Sequence, residues 1–410
     1  MTTNTPVSRV APDAPRARVA SIDLIRGAVM VLMALDHVRV YAGVAAGGPT
    51  PGVFFTRWVT HFCAPAFIFL AGTSAFFYGR RRAGAGLSRF LLTRGAWLVF
   101  LELTFLRVAW TFNLDFAHYA LAGVIWVIGW CMILMAGLVK LPLGVVATFG
   151  VAVIAGHNAM DRHLEALIAS LGDGVPSALW KIFYVGFFAG PIRVGSGGPN
   201  LFVLYSIVPW IGVMAAGYAF GRVLTLEAPR RNRVCLALGL GATGLFLVLR
   251  GLNLYGDPQP WGSAAQGAGG RPPIAAWMAF LNTTKYPASL AFLLMTLGPT
   301  VALIPLFERA RGRLARWITL FGRVPFFYYM LHIPLIHAVA LVVSAIRLGV
   351  VSPWLFTNHP MGNARPPDGY TWTLPLLYVV WVLTVVILYF ACRWFARLKA
   401  RRPDWWLSYL

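Results

Sequence analysis

The sequence predicts an all-helical (all-α), polytopic integral membrane protein with about ten transmembrane helices. Three observations lead to this fold class. Of the 410 residues, 59% are hydrophobic and only 12% are charged, and the mean hydropathy is +0.69, far more apolar than a soluble domain. Several apolar runs approach the ~20 residues that cross a bilayer core. The basic residues lie between these runs, so the net charge of +22 indicates topology and not nucleic-acid binding.

Ten apolar runs are candidate spans. They are residues 22–44, 59–79, 91–112, 119–139, 142–158, 201–221, 234–250, 286–306, 318–346 and 372–396. The ninth run contains Pro325 and Pro334, so we expect its helix to be kinked or broken. The apolar stretch 164–190 is interrupted by glycines, an aspartate and a proline. We expect this stretch to form a re-entrant or interfacial segment.

Loop charges predict the orientation. Lys and Arg are concentrated in the segments that face inward if residues 1–20 form a cytoplasmic tail, with clusters at 80–82 and 309–316. The transmembrane domain then covers 21–396, and residues 397–410 form a second cytoplasmic tail. We expect no cleaved signal peptide, because no apolar core with a cleavage site precedes the first span.

The first span carries four ionisable residues, Asp23, Arg26, Asp36 and His37. Such groups are costly in lipid and usually face a bundle interior or an aqueous cavity. Eleven helical steps bring Arg26 and His37 to nearly the same face, about 16 Å apart along the axis. Asp23 can pair with Arg26 one turn away. Asp36 lies ~100° around the helix from His37, so it cannot be assumed to hold the imidazole.

This stripe suits group transfer from a phosphorylated cytosolic donor. A cation at the inner mouth would bind the donor, and a histidine deeper in the same cavity would act as a general base toward an amine or hydroxyl. We therefore predict that Arg26 and Asp23 form the donor site and that His37 and Asp36 are catalytic. The alternative interpretation is structural: an Asp–Arg pair near the surface, and a histidine that is hydrogen-bonded inside the bundle.

Residues 21–27 (Ser-Ile-Asp-Leu-Ile-Arg-Gly), followed by His37, resemble the N-terminal signature of the transmembrane acyltransferase superfamily. The wider chain resembles bacterial members of the heparan-α-glucosaminide N-acetyltransferase catalytic-domain family. Further stretches that carry this resemblance are 61–65, 67–72, 281–287 and 322–329, with His332 and His337. It implies acetyl transfer from cytosolic acetyl-CoA to an amino sugar or hydroxyl acceptor across a membrane, which would be the bacterial inner membrane.

The chain departs from the animal members of that family. Their proposed catalytic histidine lies in the loop after the first span, whereas residues 42–57 here contain no histidine. The catalytic role is therefore assigned to His37 only on the basis of the Arg-x10-His pattern of the superfamily.

Five further residues are candidates for binding the acceptor. His61 could line the acceptor side or bond a carbonyl that Pro65 frees. Arg250 and Lys285 could form an outer polar rim, or serve as interfacial anchors. Tyr329 and His332 lie one turn apart and could face the cavity. His332 and His337 lack the i, i+4 spacing of a helical metal pair, and we expect no metal.

Two classes of function remain, with a membrane protein without chemistry as a third possibility. The first is an acyl-CoA-dependent acetyltransferase, and the alternative is a proton-coupled secondary transporter. No repeated half supports the transporter, and the cation at the inner mouth favours an acyl-CoA donor. The expected partners are membrane lipids, acyl-CoA and a glycan or amino-sugar acceptor, with no nucleic acid. The sequence leaves a homo-oligomer open.

Overall fold

The computed structural model describes residues 20–48, 50–81, 85–163, 170, 174–195, 197–267, 273–360, 364–402, 404 and 407. In this part of the chain, seven helical segments are long and apolar enough to cross a membrane. They are Pro51–Arg81, Leu143–Asp161, Ile207–Thr225, Ala228–Leu252, Leu290–Arg309, Pro325–Leu348 and Leu374–Arg401. The first predicted span is also helical but richer in ionisable residues. The prediction of a polytopic helical membrane protein is thus confirmed.

The described part of the chain contains seventeen α-helices. They are α1 Ala20–Tyr41, α2 Pro51–Trp58, α3 Cys63–Arg81, α4 Ala85–Leu101, α5 Arg107–Thr111, α6 Val124–Leu138, α7 Leu143–Gly156, α8 Val175–Trp180, α9 Ile207–Phe220, α10 Ala228–Gly251, α11 Trp261–Ala265, α12 Ala276–Leu281, α13 Leu290–Ala302, α14 Ile304–Arg309, α15 Arg313–Arg323, α16 Pro325–Leu348 and α17 Leu374–Arg401. A π-helical turn, Glu102–Leu106, joins α4 to α5. Short 3-10 turns occupy Val59–Phe62, His157–His163, Gly186–Ala189, Val223–Thr225 and Pro353–Phe356, and a second π turn occupies Lys181–Val185.

Two of the predicted spans begin with strands instead of helix. Strands β1 (Tyr119–Ala122), β2 (Ile192–Arg193) and β3 (Asn200–Val203) form a sheet in the order β1-β3-β2. β1 pairs with β3 in parallel, and β2 pairs with β3 antiparallel. The purely helical assignment of residues 119–122 and 201–203 was therefore wrong. Short apolar runs suit a buried strand as well as a helix, and hydropathy alone does not separate them.

The ninth predicted span is broken at its first proline. Val324 leaves the helical region with φ −132° and ψ 50°, and Pro325 opens α16. Proline suits the first turn of a helix, where its missing N–H has no intrahelical acceptor. Pro334 lies inside α16. The expected break is thus confirmed at Pro325.

The predicted re-entrant stretch 164–190 is described only from residue 174 onward, apart from residue 170. Its described part consists of α8 and the two short turns that follow it. The Tyr184 hydroxyl donates to the His157 carbonyl at 2.7 Å, which ties this part to the end of α7. The re-entrant assignment stays a prediction.

Helix α1 lies at the centre of the packing and contacts α3, α14, α15, α16 and α17. Its approach to α15 depends on two glycines. A Cβ atom at Gly27 would lie 1.9 Å from the Ile318 carbonyl oxygen, and one at Gly322 would lie 1.8 Å from the Asp23 carbonyl oxygen. Small residues allow such close contact between membrane helices. The helix that carries Arg26 is therefore pressed directly against α15.

Candidate functional site

A cavity of 310 Å³ lies between α1, α3, α4, α6 and α16, and we call it the inner cavity. Among the described residues, its polar lining consists of Arg26, Ser74, Tyr78, Arg94 and Tyr329, and the other lining residues are apolar. The lining on α16 runs from Pro325 to Tyr329. In the predicted orientation, the Arg26 end is nearer the cytoplasm and the Tyr329 end is deeper in the membrane.

Among the described residues, three groups hold the Arg26 guanidinium in this cavity. It donates to the Asp23 carboxylate and to the Gly322 carbonyl, each at 3.3 Å, and to the Ser74 hydroxyl at 2.9 Å. The sequence predicted the pairing with Asp23. The contacts with Ser74 and Gly322 depend on α3 and α15, which only the fold brings to α1.

Arg94 is a second cation in the inner cavity, and the sequence reasoning missed it. Its guanidinium carbon lies 5.8 Å from the centre of the Phe90 ring and 5.9 Å from that of Phe326. Aromatic rings at this distance attract a cation through their quadrupole. The available signal was an arginine within the apolar run 91–112, which is unusual enough to mark a functional position.

His37 and His332 form a hydrogen-bonded pair beyond the inner cavity. The His37 Nδ1 atom lies 2.6 Å from the Nε2 atom of His332. The His332 Nδ1 atom lies 2.6 Å from the Tyr329 carbonyl oxygen. His332 is fully buried in the interior of α16. The pair therefore joins α1 to α16 across residues far apart in the sequence.

The hydrogen-bond network assigns the protons of this pair. A carbonyl oxygen only accepts, so the His332 Nδ1 atom carries the proton that it donates to Tyr329. The Nε2 atom of neutral His332 is then an acceptor, and the His37 Nδ1–H group donates to it. The lone pair of neutral His37 is left on Nε2, which has no hydrogen-bond partner within the described part of the chain. A ring nitrogen in this state is a proton acceptor.

The surroundings of the histidine pair are aromatic. The Trp110 ring meets the His37 ring edge-on, with 4.8 Å between the centroids, and the Tyr329 ring lies 5.0 Å from that of His332. Tyr41, on the same stripe of α1, donates to the Trp110 carbonyl at 2.8 Å. Tyr329 also lines the inner cavity. The inner cavity thus ends one helical turn before His332.

Asp36 forms two salt bridges and no hydrogen bond with His37 among the described contacts. Its carboxylate oxygens lie 2.9 Å from the Arg39 Nε atom and 2.6 Å from the Arg57 Nη1 atom. The Lys285 ammonium lies 5.2 Å from the centre of the Tyr286 ring. Arg57 approaches the Tyr286 hydroxyl at 3.5 Å. We call these residues, Asp36, Arg39, Arg57, Lys285 and Tyr286, the outer polar cluster.

His61 is 5% exposed, and its ring lies 5.4 Å from that of Phe292. Its Nδ1 atom is buried without a hydrogen-bond partner in the described part of the chain. The predicted bond to a carbonyl freed by Pro65 is not among the described contacts. A buried imidazole nitrogen without a partner is costly unless a ligand or water meets it. A role for His61 on the acceptor side stays a prediction.

Arg250 is hydrogen-bonded to nearby backbone carbonyl groups. Its guanidinium donates to the carbonyls of Ala279, Phe280, Asn282 and Gln259 at 2.8–3.2 Å, and it lies 3.5 Å from the Asp257 carboxylate. Only 3% of the residue is exposed. These bonds tie the end of α10 to the chain before α13. The prediction that Arg250 binds an acceptor stays untested, and its geometry accounts for a structural role.

The His337 ring is held by contacts with Ala109 and Phe112. Its Nδ1 atom donates to the Ala109 carbonyl at 3.2 Å, and its ring stacks on Phe112 with 3.8 Å between centroids. Across the residues that the structure describes, no three His, Cys, Asp or Glu side chains come together as a possible metal site. The expectation of a metal-free site stays a prediction.

The fold and the site define a polytopic helical membrane protein in which a cationic inner cavity leads to a pair of histidines, of which His332 is buried. A family model described as heparan-alpha-glucosaminide N-acetyltransferase, catalytic, matches residues 18–251, which is more than half of the chain. The chain belongs to this family, and its membership indicates a membrane acetyltransferase. A search of curated proteins gives no match. The matched region includes Arg26 and His37 but ends before His332.

Proposed function

We propose that this protein transfers an acetyl group from cytosolic acetyl-CoA to the amine or hydroxyl of a sugar acceptor on the outer side of a bacterial inner membrane. One observation carries the proposal. The inner cavity that contains Arg26 ends at Tyr329, whose carbonyl holds His332 against His37. In this proposal, Arg26 would bind the donor at one end of the inner cavity, and His37 would act as the base beyond the other end. Acyl transfer needs both in a fixed relation to each other.

The inner cavity suits a CoA thioester. Arg26 and Arg94 would contact the phosphates, because guanidinium groups bind phosphate oxygens in charge-assisted pairs. The apolar lining would hold the pantetheine arm and lead the thioester toward Tyr329. The volume of 310 Å³ is at the lower end of the ~300–1,000 Å³ of small-molecule pockets. It therefore suits the narrow arm better than the nucleotide, which would stay at the cytoplasmic mouth.

The reaction needs one proton to move twice. The acceptor N–H or O–H gives its proton to the His37 Nε2 atom while the acceptor nitrogen or oxygen attacks the thioester carbonyl. The new C–N or C–O bond forms and the C–S bond breaks. The His37 imidazolium then returns the proton to the CoA thiolate. The products are the acetylated acceptor and CoA with a free thiol.

His332 would act as a positioning residue in this reaction. Its Nε2 atom accepts the His37 Nδ1–H bond and so keeps the His37 Nε2 lone pair available for the acceptor. The Tyr329 carbonyl fixes the orientation of His332 in turn. A partner of this kind selects the tautomer of a catalytic histidine and stabilises its charged form. This role goes beyond the acceptor-side role that the sequence predicted for His332.

The outer polar cluster would face the acceptor. It contains three cations, Arg39, Arg57 and Lys285, around the single carboxylate of Asp36. Because Asp36 is bound to both arginines, we propose that it influences His37 through its charge and holds the cluster together. Lys285 and His61 would then be the nearest groups available to acceptor oxygens.

A proton-coupled transporter is the alternative, because a histidine pair within the membrane-spanning helices can also relay protons. Membership of an acetyltransferase family favours the enzyme. Binding of the donor separates the two functions, since a proton-coupled transporter of some other solute has no need of a CoA site.

Titration of purified protein in detergent with acetyl-CoA tests the donor site. We expect binding by the wild type and about tenfold or more weaker binding by Arg26→Ala, because a charged hydrogen bond is worth roughly 1.5–3 kcal/mol. Arg230→Ala is the matched control, since Arg230 is exposed and lies outside the inner cavity. Thermal unfolding checks that both variants are folded. A wild type that does not bind acetyl-CoA, or a folded Arg26→Ala that binds normally, would refute the assignment.

A further inference from the structure

A second cavity, of 880 Å³, lies between α15 and α17, and we call it the basic groove. Among the described residues, five arginines line it together with the rings of Trp317 and Tyr389. They are Arg311, Arg313, Arg316, Arg323 and Arg393. The basic groove shares no lining residue with the inner cavity. The acetyl-transfer proposal leaves it without a role.

The positive charge of the basic groove is not compensated by the described residues. No Asp or Glu of the described part of the chain lines it. The nearby Glu308 carboxylate is bound to Arg231 at 2.8 Å, on another helix. Arg311 donates only to backbone carbonyls among the described contacts. An array of guanidiniums without carboxylates is a favourable site for a phosphate group.

The position of two of these arginines opposes helix stability. Arg313 and Arg316 lie in the first turn of α15. The amino end of a helix carries partial positive charge, so basic residues there are unfavourable and acidic ones favourable. A bound anion would remove this conflict, because it would meet both the guanidiniums and the helix end.

An apolar track leads away from the basic groove along α17. Leu383, Ile387, Phe390 and Trp394 are between 41% and 62% exposed, and their spacing places them on one side of the helix. Tyr389 and Arg393, which line the basic groove, border this track. The Trp317 and Tyr389 rings stack at 4.6 Å where the two regions meet. Aromatic side chains commonly occupy the headgroup level of a bilayer.

We propose that the basic groove binds the phosphate headgroup of an anionic phospholipid of the inner leaflet, with its acyl chains along the track on α17. The arginines supply the recognition of phosphate, and basic clusters at the cytoplasmic surface attract anionic lipids. The apolar track favours a lipid over a soluble phosphate, which would make no use of it. The proposal requires the predicted orientation but does not depend on acetyl transfer.

Lipid binding in the basic groove would also affect the donor site, because α15 contributes residues to both. The groove-lining residue Arg323 is adjacent to Gly322, whose carbonyl accepts a hydrogen bond from Arg26. Gly322 is also one of the residues of α15 that pack closely against the backbone of α1. A lipid that joins α15 to α17 would therefore hold this contact in place. We expect anionic lipid to raise the unfolding temperature of the protein.

The test measures lipid binding to the full chain in two ways, in nanodiscs and by native mass spectrometry. The probes are phosphatidylglycerol, as the anionic lipid, and phosphatidylcholine of the same chain length. The groove variant is Arg316→Gln with Arg393→Gln. The matched control is Arg230→Gln with Arg233→Gln, which removes the same charge from exposed positions outside the groove. All four side chains are exposed, so we expect both variants to fold.

We expect the wild type to retain phosphatidylglycerol in preference to phosphatidylcholine. The groove variant should bind phosphatidylglycerol roughly 30-fold more weakly, because each of the two basic residues contributes about 1 kcal/mol, and it should lose the thermal stabilisation. The control variant should keep both the affinity for phosphatidylglycerol and the thermal stabilisation. Equal loss in the two variants would reduce the effect to general surface charge and overturn the proposal. Displacement of phosphatidylglycerol from the wild type by 3′,5′-ADP, with the groove variant insensitive to it, would assign the groove to a nucleotide and also overturn it.

Discussion

The histidine pair makes a prediction about how two substitutions combine. His37→Ala removes the proposed base, and general-base catalysis is typically worth about 10²–10⁴-fold in rate. His332→Ala keeps the base but removes the acceptor that lies 2.6 Å from its Nδ1 atom. A buried donor without a partner costs roughly 1–3 kcal/mol. His37 can avoid this cost by rotating or by changing tautomer, and either change takes its Nε2 lone pair away from the acceptor. An energy difference of this size corresponds to a fall in turnover of about 5- to 150-fold.

The double variant distinguishes a positioning role from an independent one. If His332 acts only through His37, then His37→Ala with His332→Ala should be no slower than His37→Ala alone, because residues that act as a unit are strongly non-additive. His37→Gln should be nearly as inactive as His37→Ala, since an amide does not take up the proton. His118→Ala is a control, because this histidine is 77% exposed in its side chain and lies outside the inner cavity.

The assay is single-turnover transfer of labelled acetyl from acetyl-CoA to an amino-sugar acceptor by purified protein in detergent. The affinity for acetyl-CoA and the unfolding temperature are measured on the same preparations. We expect the affinity to survive in every folded variant, because the donor phosphates would be bound at the Arg26 end. Two results would refute the reasoning: full turnover in His37→Ala, or rate losses in the two single variants that multiply in the double variant.

Three other predictions follow from the packing and the charges. Gly322→Val should lower the unfolding temperature and weaken acetyl-CoA binding, because its Cβ would lie 1.8 Å from a backbone oxygen of α1; unchanged stability would contradict the close packing. Asp36→Asn should reduce turnover less than His37→Ala, yet destabilise the protein by about 3–5 kcal/mol because two buried arginines lose their carboxylate; a folded protein with wild-type melting would argue against this. Cysteines introduced at 80–82 or 309–316 should resist impermeant labelling from outside intact cells, and their labelling would reverse the predicted orientation.

The sequence by itself determined the features that depend on near neighbours along the chain. Hydropathy and loop charge predicted a polytopic helical protein, because crossing a bilayer imposes a length and a composition on each helix. Helical periodicity placed Arg26 and His37 on one stripe and predicted the pairing of Arg26 with Asp23, which the structure contains. The fixed φ of proline and its missing N–H predicted a kink or break in the ninth span, which contains Pro325 and Pro334, and the structure has the break at Pro325. Each of these follows from local geometry.

Only the tertiary structure decided which distant side chains meet. His37 and His332 are 295 residues apart in sequence, and the periodicity of α1 or α16 does not say which face of one helix contacts the other. The same holds for Arg57 with Asp36, and for the four carbonyls that engage Arg250. In an apolar chain nearly every helix face can be buried, so hydropathy distinguishes poorly between partners. The close glycine contacts and the placement of a few polar groups select the arrangement that assembles the site.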